Sequence, residues 1–405
     1  MIVTDQYEPM VGGVPTVTRE LAAGLAERGH AVAVVAPSPG RRAQLDNRAD
    51  VMVDFRGSVP WPWYQGQRLG LLPPQRAREL VAGFAPEVVH LHSPLTLGVA
   101  ARPAARRRRV PVVYTNHYLP LNVWPAAARG GAAAGEGAGG VRQARDAAFY
   151  AYVTGFANRC DHVTAPTTTA LRLLRAHGLR VPSQAVSNGV DLARFSPGPR
   201  DAALLLKYAL PKDRPVILSV GRLSLEKRAD VLIAAVARLT EPVLVLAGSG
   251  PDEARLRSLA RHYGVAERVL FTGFVPDDDL PGLYRLADVF AIASQAELQS
   301  LATMSAMASG LPVVAVDAGA LAELVHAGEN GFLTRPGRAG EMADSLGLLC
   351  GDAGLRTRMS KAGKRIIGEH DRHRVLARWE SIYRELAAPG ARWTHGTRET
   401  VEENT

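Results

Sequence analysis

Cysteine is scarce in this chain of 405 residues, which has only Cys160 and Cys350. Two cysteines are too few for a disulfide framework, and these two do not have the spacing of metal ligands. Long apolar runs are also missing, because none approaches the ~20 consecutive residues that span a bilayer. The first ten residues lack the basic segment and apolar stretch of a signal peptide. These absences predict a soluble, cytoplasmic protein.

Acidic residues are fewer than basic ones: 39 Asp and Glu stand against 48 Lys and Arg, a formal net charge of +9. Arg106–Arg109 form the densest basic cluster, and Arg102 lies just before it. Such a cluster attracts nucleic acid, anionic lipid head groups or an acidic substrate. The alternative is a solvated, arginine-rich helix end. No zinc-finger or RNA-binding motif combines basic residues with aromatics, so nucleic acid is not an expected partner.

Short apolar segments alternate with helix-length amphipathic segments along most of the chain. Bounded by Gly, Pro or Asp, the apolar segments are typical of buried parallel strands. They cover 2–4, 31–37, 87–92, 110–117, 162–166, 215–221, 242–248, 268–273, 288–294 and 311–316. Strands that alternate with helices predict parallel sheets covered on both faces. Because the strands form two groups, we predict an α/β protein of two doubly wound domains.

Turn-forming residues separate the two groups of strands. Asn188-Gly189 is a strong turn signal, and Pro197 and Pro199 restrict the chain that follows. The predicted domains are therefore 1–190 and 191–370.

Two further stretches lack the composition of a packed element. Residues 126–145 are rich in Gly and Ala and poor in large apolar side chains, so we predict a mobile loop there. Residues 389–405 are predicted to form a flexible tail.

Doubly wound sheets bind ligands at the carboxyl ends of their strands, where loops lead into helices. Gly12-Gly13 precedes the first strong helix, and a diglycine there lets backbone N–H groups approach a phosphate. A tight turn is the commoner reason for such a pair.

Arg222 and Lys227 follow the first strand of the second group, and two fixed cations at that place suit a diphosphate. Their alternative role is pairing with nearby acids.

Two more positions at strand ends carry polar side chains. Glu297 lies in the loop after 288–294, and the backbone N–H groups of Gln299–Ala302 open the next helix and favour an anion. The alternative is that Glu297 only complements the helix dipole. His117 ends the segment 110–117, where it would face the second domain across a cleft, although a lone histidine is more often structural.

Asp277–Asp279 allow two interpretations. Carboxylates with this spacing can hold a divalent ion beside a nucleotide. They also stand just before a helical segment, where N-capping explains them more simply. We therefore predict a helix cap and no metal site.

Taken in order, these motifs resemble one family. Gly12-Gly13 and Glu297 are joined by five further motifs: TNH at 115–117, NGVD at 188–191, SVGRLSLEK at 219–227, LAGSGP at 246–251 and FTGFV at 271–275. The segment MASGLPVVA follows at 307–315. The set is similar to the retaining nucleotide-sugar glycosyltransferases with the GT-B fold, often called family 4. The resemblance extends from Thr4 to about Leu386.

The resemblance implies two Rossmann-like domains facing a cleft, with a helix over about 371–388 that packs back on the first domain. It implies that Arg222 and Lys227 bind the donor diphosphate, that Glu297 binds sugar hydroxyls and that His117 lies beside the sugar. The other implied donor-binding residues are Gly13, Gly221, Gly273, Gln299, Ser300, Leu301 and Ser305. Neither a metal nor a cofactor is implied, since the nucleoside diphosphate sugar is a co-substrate.

Ser305 departs from the family pattern, because a second glutamate usually stands eight residues after the first. That glutamate normally accepts hydrogen bonds from the ribose. Serine is shorter and neutral, and losing a charge-assisted hydrogen bond costs ~1.5–3 kcal/mol of binding. The substitution predicts a weaker donor site and leaves the choice of nucleotide open, with UDP favoured.

The resemblance implies retaining transfer to an acceptor hydroxyl. The acceptor would dock on the first domain. Its loops carry three aromatic residues, the segment 126–145 and the basic cluster: Trp61, Trp63, Tyr64, 126–145 and Arg106–Arg109. These suit a lipid at an anionic membrane surface, contacted peripherally from the cytoplasmic side. They equally suit a small secondary metabolite such as an aminocyclitol, with Glu136 and Asp146 as the nearby carboxylates. Two other functions stay open: a catalytically weak binding or activating subunit, and a sugar-nucleotide epimerase.

Overall fold

The computed structural model describes residues 1–40, 43–48, 50–61, 67–123 and 137–388. Trp63, Tyr64, Glu136, most of the predicted loop and the predicted tail lie outside the described residues. Within the described part, no helix combines the length and the apolar composition needed to cross a membrane.

Among the described residues, eight strands form the sheet of the first domain in the order β10-β9-β8-β7-β1-β2-β4-β3. The strands are β1 Ile2–Val3, β2 Val32–Pro37, β3 Gln44–Arg48, β4 Val51–Arg56, β7 Val89–Leu91, β8 Val112–Thr115, β9 His162–Ala165 and β10 Ser183–Ala185. All neighbours are parallel except β3 and β4. β5 Ser58–Pro60 and β6 Arg68–Gly70 form a separate hairpin.

Helices cover both faces of this sheet, which is why its central strands are mostly apolar. Every residue of β2 is buried, as expected of a parallel strand covered on both sides. The helices are α1 Gly13–Glu27, α2 Pro74–Phe84, α3 Thr96–Arg107, α4 Pro120–Val123, α5 Gly137–Ala157 and α6 Thr168–Ala176.

The second domain repeats this plan around a parallel sheet that has, in the described chain, six strands in the order β13-β12-β11-β14-β15-β16. The strands are β11 Val216–Val220, β12 Val243–Ala247, β13 Val269–Gly273, β14 Val289–Ile292, β15 Val313–Val316 and β16 Gly331–Thr334. The helices are α7 Ala202–Lys207, α8 Ala229–Val236, α9 Glu253–His262, α10 Leu280–Leu286, α11 Leu301–Ala308, α12 Ala339–Gly351 and α13 Ala353–Ile367. Its core is separate from that of the first domain and contains buried residues from Val190 to Ile367.

The last helix, α14 Arg372–Ala387, crosses back to the first domain. Asp371 caps it by accepting hydrogen bonds from the backbone N–H groups of His373 and Arg374. Its buried face packs into the apolar cluster formed by α1, β2 and β4, with side chains at helical spacing: Val375, Leu376, Trp379, Ile382 and Leu386. The sequence-based expectation of two doubly wound domains and a returning helix is therefore confirmed.

Part of the predicted loop at 126–145 is helical, because α5 begins at Gly137. The prediction was wrong for 137–145. Phe149, Tyr150 and Val153 anchor the later turns of α5 in the core. Once those turns are docked, each added residue gains a helical hydrogen bond without a new nucleation cost, and alanine has the best helix propensity.

Glu380 joins α14 to the first domain through an ion-pair cluster. Its carboxylate accepts hydrogen bonds from Arg28 at 2.7 and 2.9 Å and contacts the His30 ring at 3.0 Å. The hydrogen bond from Arg28, followed by that from His30, lowers the pKa of Glu380 from 4.5 to about 2.

We expect Glu380→Gln to destabilise the protein at pH 7 by about 2 kcal/mol, less than a fully buried pair because Arg28 is partly exposed. The folded-state pKa is depressed, so this stabilisation is present above pH 4.5 and is lost as the pH falls toward 2. Urea unfolding at pH 7 and pH 3 checks this, and the difference between the two proteins should be smaller at pH 3. Glu369→Gln, in an exposed pair with Arg374, is the control; an equal effect of both variants would contradict the prediction.

Candidate active site

The candidate site of the second domain lies between β11 and β14, where the strand order of its sheet reverses. The chain runs outward from β11 to β12 and β13, then returns to place β14 on the other side of β11. Loops after such a pair of strands diverge and leave a crevice at their carboxyl ends. Arg222 and Lys227 follow β11, and Glu297 follows β14. The topology therefore brings together three residues predicted from separate motifs.

Lys227 and Glu297 meet directly in this crevice. The Lys227 Nζ lies 2.7 Å from the Glu297 Oε1, with the carboxylate nine-tenths buried and the ammonium half-buried. Arg222 is exposed on the same loop, one residue after Gly221. Gly221 has a φ of 155° and Gly248 beside it has 140°. A Cβ on Gly248 would lie 2.0 Å from the Gly221 carbonyl oxygen, so only glycine permits these two loops to pack together.

The backbone around Glu297 is also held closely. The Glu297 carbonyl accepts a hydrogen bond from the Ala320 N–H at 3.0 Å. Gly319, with a φ of 59°, passes so near that a Cβ there would lie 2.6 Å from the same oxygen. Glu226 is buried beside Lys227 and accepts a hydrogen bond from the Ser224 hydroxyl at 2.6 Å. These contacts order the backbone at Glu297 and the loop that carries Lys227.

The N-terminus of α11 completes this crevice. Ser300 is its N-cap, and the Ser300 hydroxyl accepts a hydrogen bond from the Thr303 N–H at 3.2 Å. Leu301 opens the helix, and the first backbone N–H groups of a helix favour a bound anion. A Cβ on Gly13 would lie 3.9 Å from the Leu301 side chain. Gly13 begins α1 of the first domain, so two helix N-termini face each other across the cleft.

The Gln299 side chain is hydrogen-bonded to the interdomain linker. Its Oε1 accepts a hydrogen bond from the Asn188 N–H at 2.7 Å, and its Nε2 donates to the Ser187 hydroxyl at 3.1 Å. The side chain therefore ties the loop after β14 to the interdomain linker. A donor would meet the backbone of Gln299 and not its amide group.

Ser305 lies on α11 and Gly273 at the end of β13. Ser305 is buried on α11 and hydrogen-bonds the Tyr284 hydroxyl, which also donates to the Ala302 carbonyl at 3.2 Å. Gly273 ends β13 with a φ of 68°, and its carbonyl accepts a hydrogen bond from the Gly248 N–H at 2.9 Å. The position of the usual second glutamate is thus occupied by a short side chain next to a tyrosine.

His117 lies in the first domain after β8 and is hydrogen-bonded to His92, which follows β7. The His117 Nε2 is 2.9 Å from the His92 Nδ1. Burial lowers the pKa of His117 to about 4, and burial first, then repulsion from His90 and His117, lowers that of His92. Both rings are therefore neutral near pH 7. The sequence analysis missed His92, although two histidines at the end of an apolar strand were a visible signal.

The predicted cap at Asp277–Asp279 is confirmed in position, since Asp279 precedes α10, but its capping bond is not formed. Asp279 occupies the N-cap position of α10 without a side-chain capping bond. Its carboxylate binds Lys207 and Tyr208, both at 2.5 Å. Asp277 pairs with Arg19 of α1 at 3.2 Å, an interdomain contact. Partners distant in sequence therefore outcompeted the local backbone.

The Arg106–Arg109 cluster does not lie at the candidate site. It stands at the carboxyl end of α3, which runs antiparallel to β7 and β8. That end of the helix is at the amino edge of the sheet, whereas His117 is at the carboxyl edge. These arginines are therefore on the opposite edge of the sheet from His117, and the alternative of an exposed helix end fits them.

Comparisons with known proteins agree with this geometry. The model of Glycosyltransferase Family 4 matches residues 11–194, and that of Glycosyl transferases group 1 matches 204–366. The chain is 32% identical over 389 residues to a GDP-mannose-dependent alpha-mannosyltransferase of Mycolicibacterium smegmatis, covering 95% of each chain.

Two more matches are also glycosyl-transferring enzymes by name or share this fold. An alpha-monoglucosyldiacylglycerol synthase of Streptococcus pneumoniae is 27% identical over 320 residues, covering 77% of this chain and 69% of that one. The solved structure of sucrose-phosphate synthase from Thermosynechococcus elongatus matches with a TM-score of 0.78 at 21% identity, covering 95% of this chain and 98% of that one. The chain therefore belongs to the group 1, family 4 glycosyltransferases and has the GT-B fold.

Proposed function

We propose that this glycosyltransferase moves a sugar from a nucleoside diphosphate sugar to an acceptor hydroxyl with retention of the anomeric configuration. The observation that carries the proposal is the Lys227–Glu297 pair, whose Nζ and Oε1 atoms are 2.7 Å apart. The pair lies where the strand order of the second sheet reverses. The exposed Arg222 and the N-terminus of α11 stand beside it. Two cations and a helix N-terminus suit a diphosphate, and a carboxylate suits sugar hydroxyls.

In the proposed reaction, the bond from the anomeric carbon to the diphosphate breaks and the acceptor oxygen attacks from the same face. Negative charge then develops on the leaving diphosphate, where Lys227, Arg222 and the α11 N-terminus stabilise it. The acceptor proton passes to a phosphate oxygen of the leaving group. Glu297 has one oxygen bonded to Lys227, and in the proposed reaction its other oxygen accepts a hydrogen bond from a sugar hydroxyl. Because these fixed cations supply the positive charge, we propose a metal-independent reaction, which retained activity in EDTA would support.

The M. smegmatis relative is named for GDP-mannose, which makes that donor the first to test for this chain. UDP, favoured from the sequence, is the second. The acceptor is proposed to be a lipid or a small polar molecule. The name of the S. pneumoniae relative supports a lipid. Because Arg106–Arg109 lie away from the cleft, any contact with an anionic membrane beside the acceptor would involve other residues.

A thermal-shift panel with GDP, UDP, ADP and dTDP tests the donor site. A nucleotide at ~100 times its dissociation constant should add ~2.7 kcal/mol of stability. Ser305→Glu should enlarge that shift if the serine is a relaxed ribose contact.

In a transfer assay with the matching sugar nucleotide, we expect Arg222→Ala to lower turnover at least tenfold. No shift with any nucleotide, together with no transfer, would favour the alternative of a binding or activating subunit.

A further inference from the structure

The contact between His92 and His117 has a geometry that shows how the two rings meet. The two rings are 11° from coplanar and their centroids are 5.2 Å apart, while the facing nitrogens are 2.9 Å apart. Centroids so much farther apart than the nitrogens place both nitrogens between the rings. The contact is therefore an edge-to-edge N–H···N hydrogen bond and not a face-to-face stack.

The other nitrogen of His92 decides which ring donates. His92 Nε2 is buried and has no hydrogen-bond partner within the described ranges. A neutral imidazole carries one N–H, and a buried N–H without a partner is rarer in proteins than a buried acceptor without one. This balance favours a His92 proton on Nδ1, donated to His117 Nε2. His117 must then carry its own proton on Nδ1, the nitrogen turned away from His92.

Neighbouring elements hold His92 in this state. The His90 ring packs against it with centroids 4.0 Å apart. Both nitrogens of His90 are occupied, by the Tyr383 hydroxyl of α14 and the Thr115 hydroxyl of β8, each at 2.7 Å. His90 therefore cannot serve as the missing partner of His92 Nε2.

Two charged residues line the same small cavity as His92 and His117: Glu20 of α1 and Arg372 of α14. They lie 3.9 Å apart and bear opposite charges, so their fields on the histidines largely offset each other. Burial is then the main influence that keeps the pKa of His117 at about 4.

We propose that His92 is a positioning residue that holds His117 as a neutral Nδ1–H donor to an oxygen of the bound sugar. The proposal rests on the proposed function, since it requires the sugar to lie beside His117. In this role His117 makes a hydrogen bond without exchanging a proton. Its contribution to turnover is consequently independent of pH between about 5 and 8.

Three variants at one position separate this role from simple packing. In His92→Asn the amide nitrogen can take the place of Nδ1 and donate, so we expect kcat/KM within about threefold of wild type. His92→Leu removes the donor, and loss of one hydrogen bond predicts a fall of about tenfold. His92→Asp offers only an acceptor, which moves the His117 proton to Nε2 and raises the His117 pKa. We expect that variant to lose activity and to gain a pH dependence of kcat between pH 5 and 8.

A measurement on the wild-type protein complements the variants. Nitrogen-15 NMR of histidine-labelled protein, with His117→Gln used to assign the signals, should show His117 protonated at Nδ1. Protonation at Nε2, or Asn and Asp variants with equal activity and equal pH profiles, would overturn the proposal. Nucleotide-induced thermal shifts should be unchanged in all three variants. If the wild-type protein transfers no sugar at all, the proposed function fails, while the tautomer measurement still decides the proton position.

Discussion

Lys227→Ala is expected to lower kcat by 10²–10³, the size of effect produced by removing one preorganised donor from a developing negative charge. The position of Lys227 is set by a carboxylate, through its 2.7 Å contact with Glu297. The variant loses that charge and also leaves Glu297 nine-tenths buried without its partner. Both changes act on the proposed transition state, since an unpaired carboxylate would repel the diphosphate.

Steady-state kinetics with a saturating sugar nucleotide measure this effect. Lys207→Ala is the matched control, because Lys207 pairs with Asp279 in the same domain but stands away from the crevice and is half exposed. We expect it to change kcat less than twofold. Double variant Lys227→Ala with Glu297→Gln should recover part of the donor affinity by removing the repulsion. A Lys227→Ala protein with kcat near wild type would contradict the role given to the pair.

The second large effect is expected from Trp379→Ala, which should reduce the free energy of unfolding by ~3–5 kcal/mol. Trp379 is 4% exposed at the centre of the face that α14 presents to the first domain. Its ring lies 4.6 Å from that of His90 and 5.6 Å from that of Tyr383, centroid to centroid. The surrounding side chains belong to both α14 and the first-domain sheet, so the cavity cannot collapse without separating them.

Denaturant unfolding followed by circular dichroism measures this loss of stability. Trp379→Phe keeps most of the buried ring and should cost clearly less. Leu206→Ala, a truncation at a side chain that is 77% exposed, is the control and should change stability by less than about 0.5 kcal/mol. A Trp379→Ala protein within about 1 kcal/mol of wild type would mean that α14 is not anchored through this residue.

Much of the candidate site was predictable because strand ends are visible in a sequence. The apolar run that forms β11 ends at Val220, and the run that forms β14 ends at Ile292. Polar residues that follow such runs lie at the carboxyl edge of a parallel sheet. Arg222, Lys227, Glu297 and His117 were therefore identifiable one by one.

The sequence could not reveal which of these residues meet. Lys227 and Glu297 are 70 positions apart, and they become neighbours because β14 pairs with β11 and not with β13. That order depends on how the whole sheet buries its apolar surface. The partners of Asp277 and Asp279 were missed for the same reason, since Arg19 belongs to the other domain.

By itself, the sequence determined the alternation of strands and helices, the division into two domains and the residue types at the strand ends. Those properties follow from local periodicity and from turn residues, which act over a few positions. Only the tertiary structure decided that Gln299 holds the linker, that His92 contacts His117 and that Arg106–Arg109 lie away from the cleft. Hydrogen bonds and burial at these places join residues from different elements, and their energies exist only once the elements have packed.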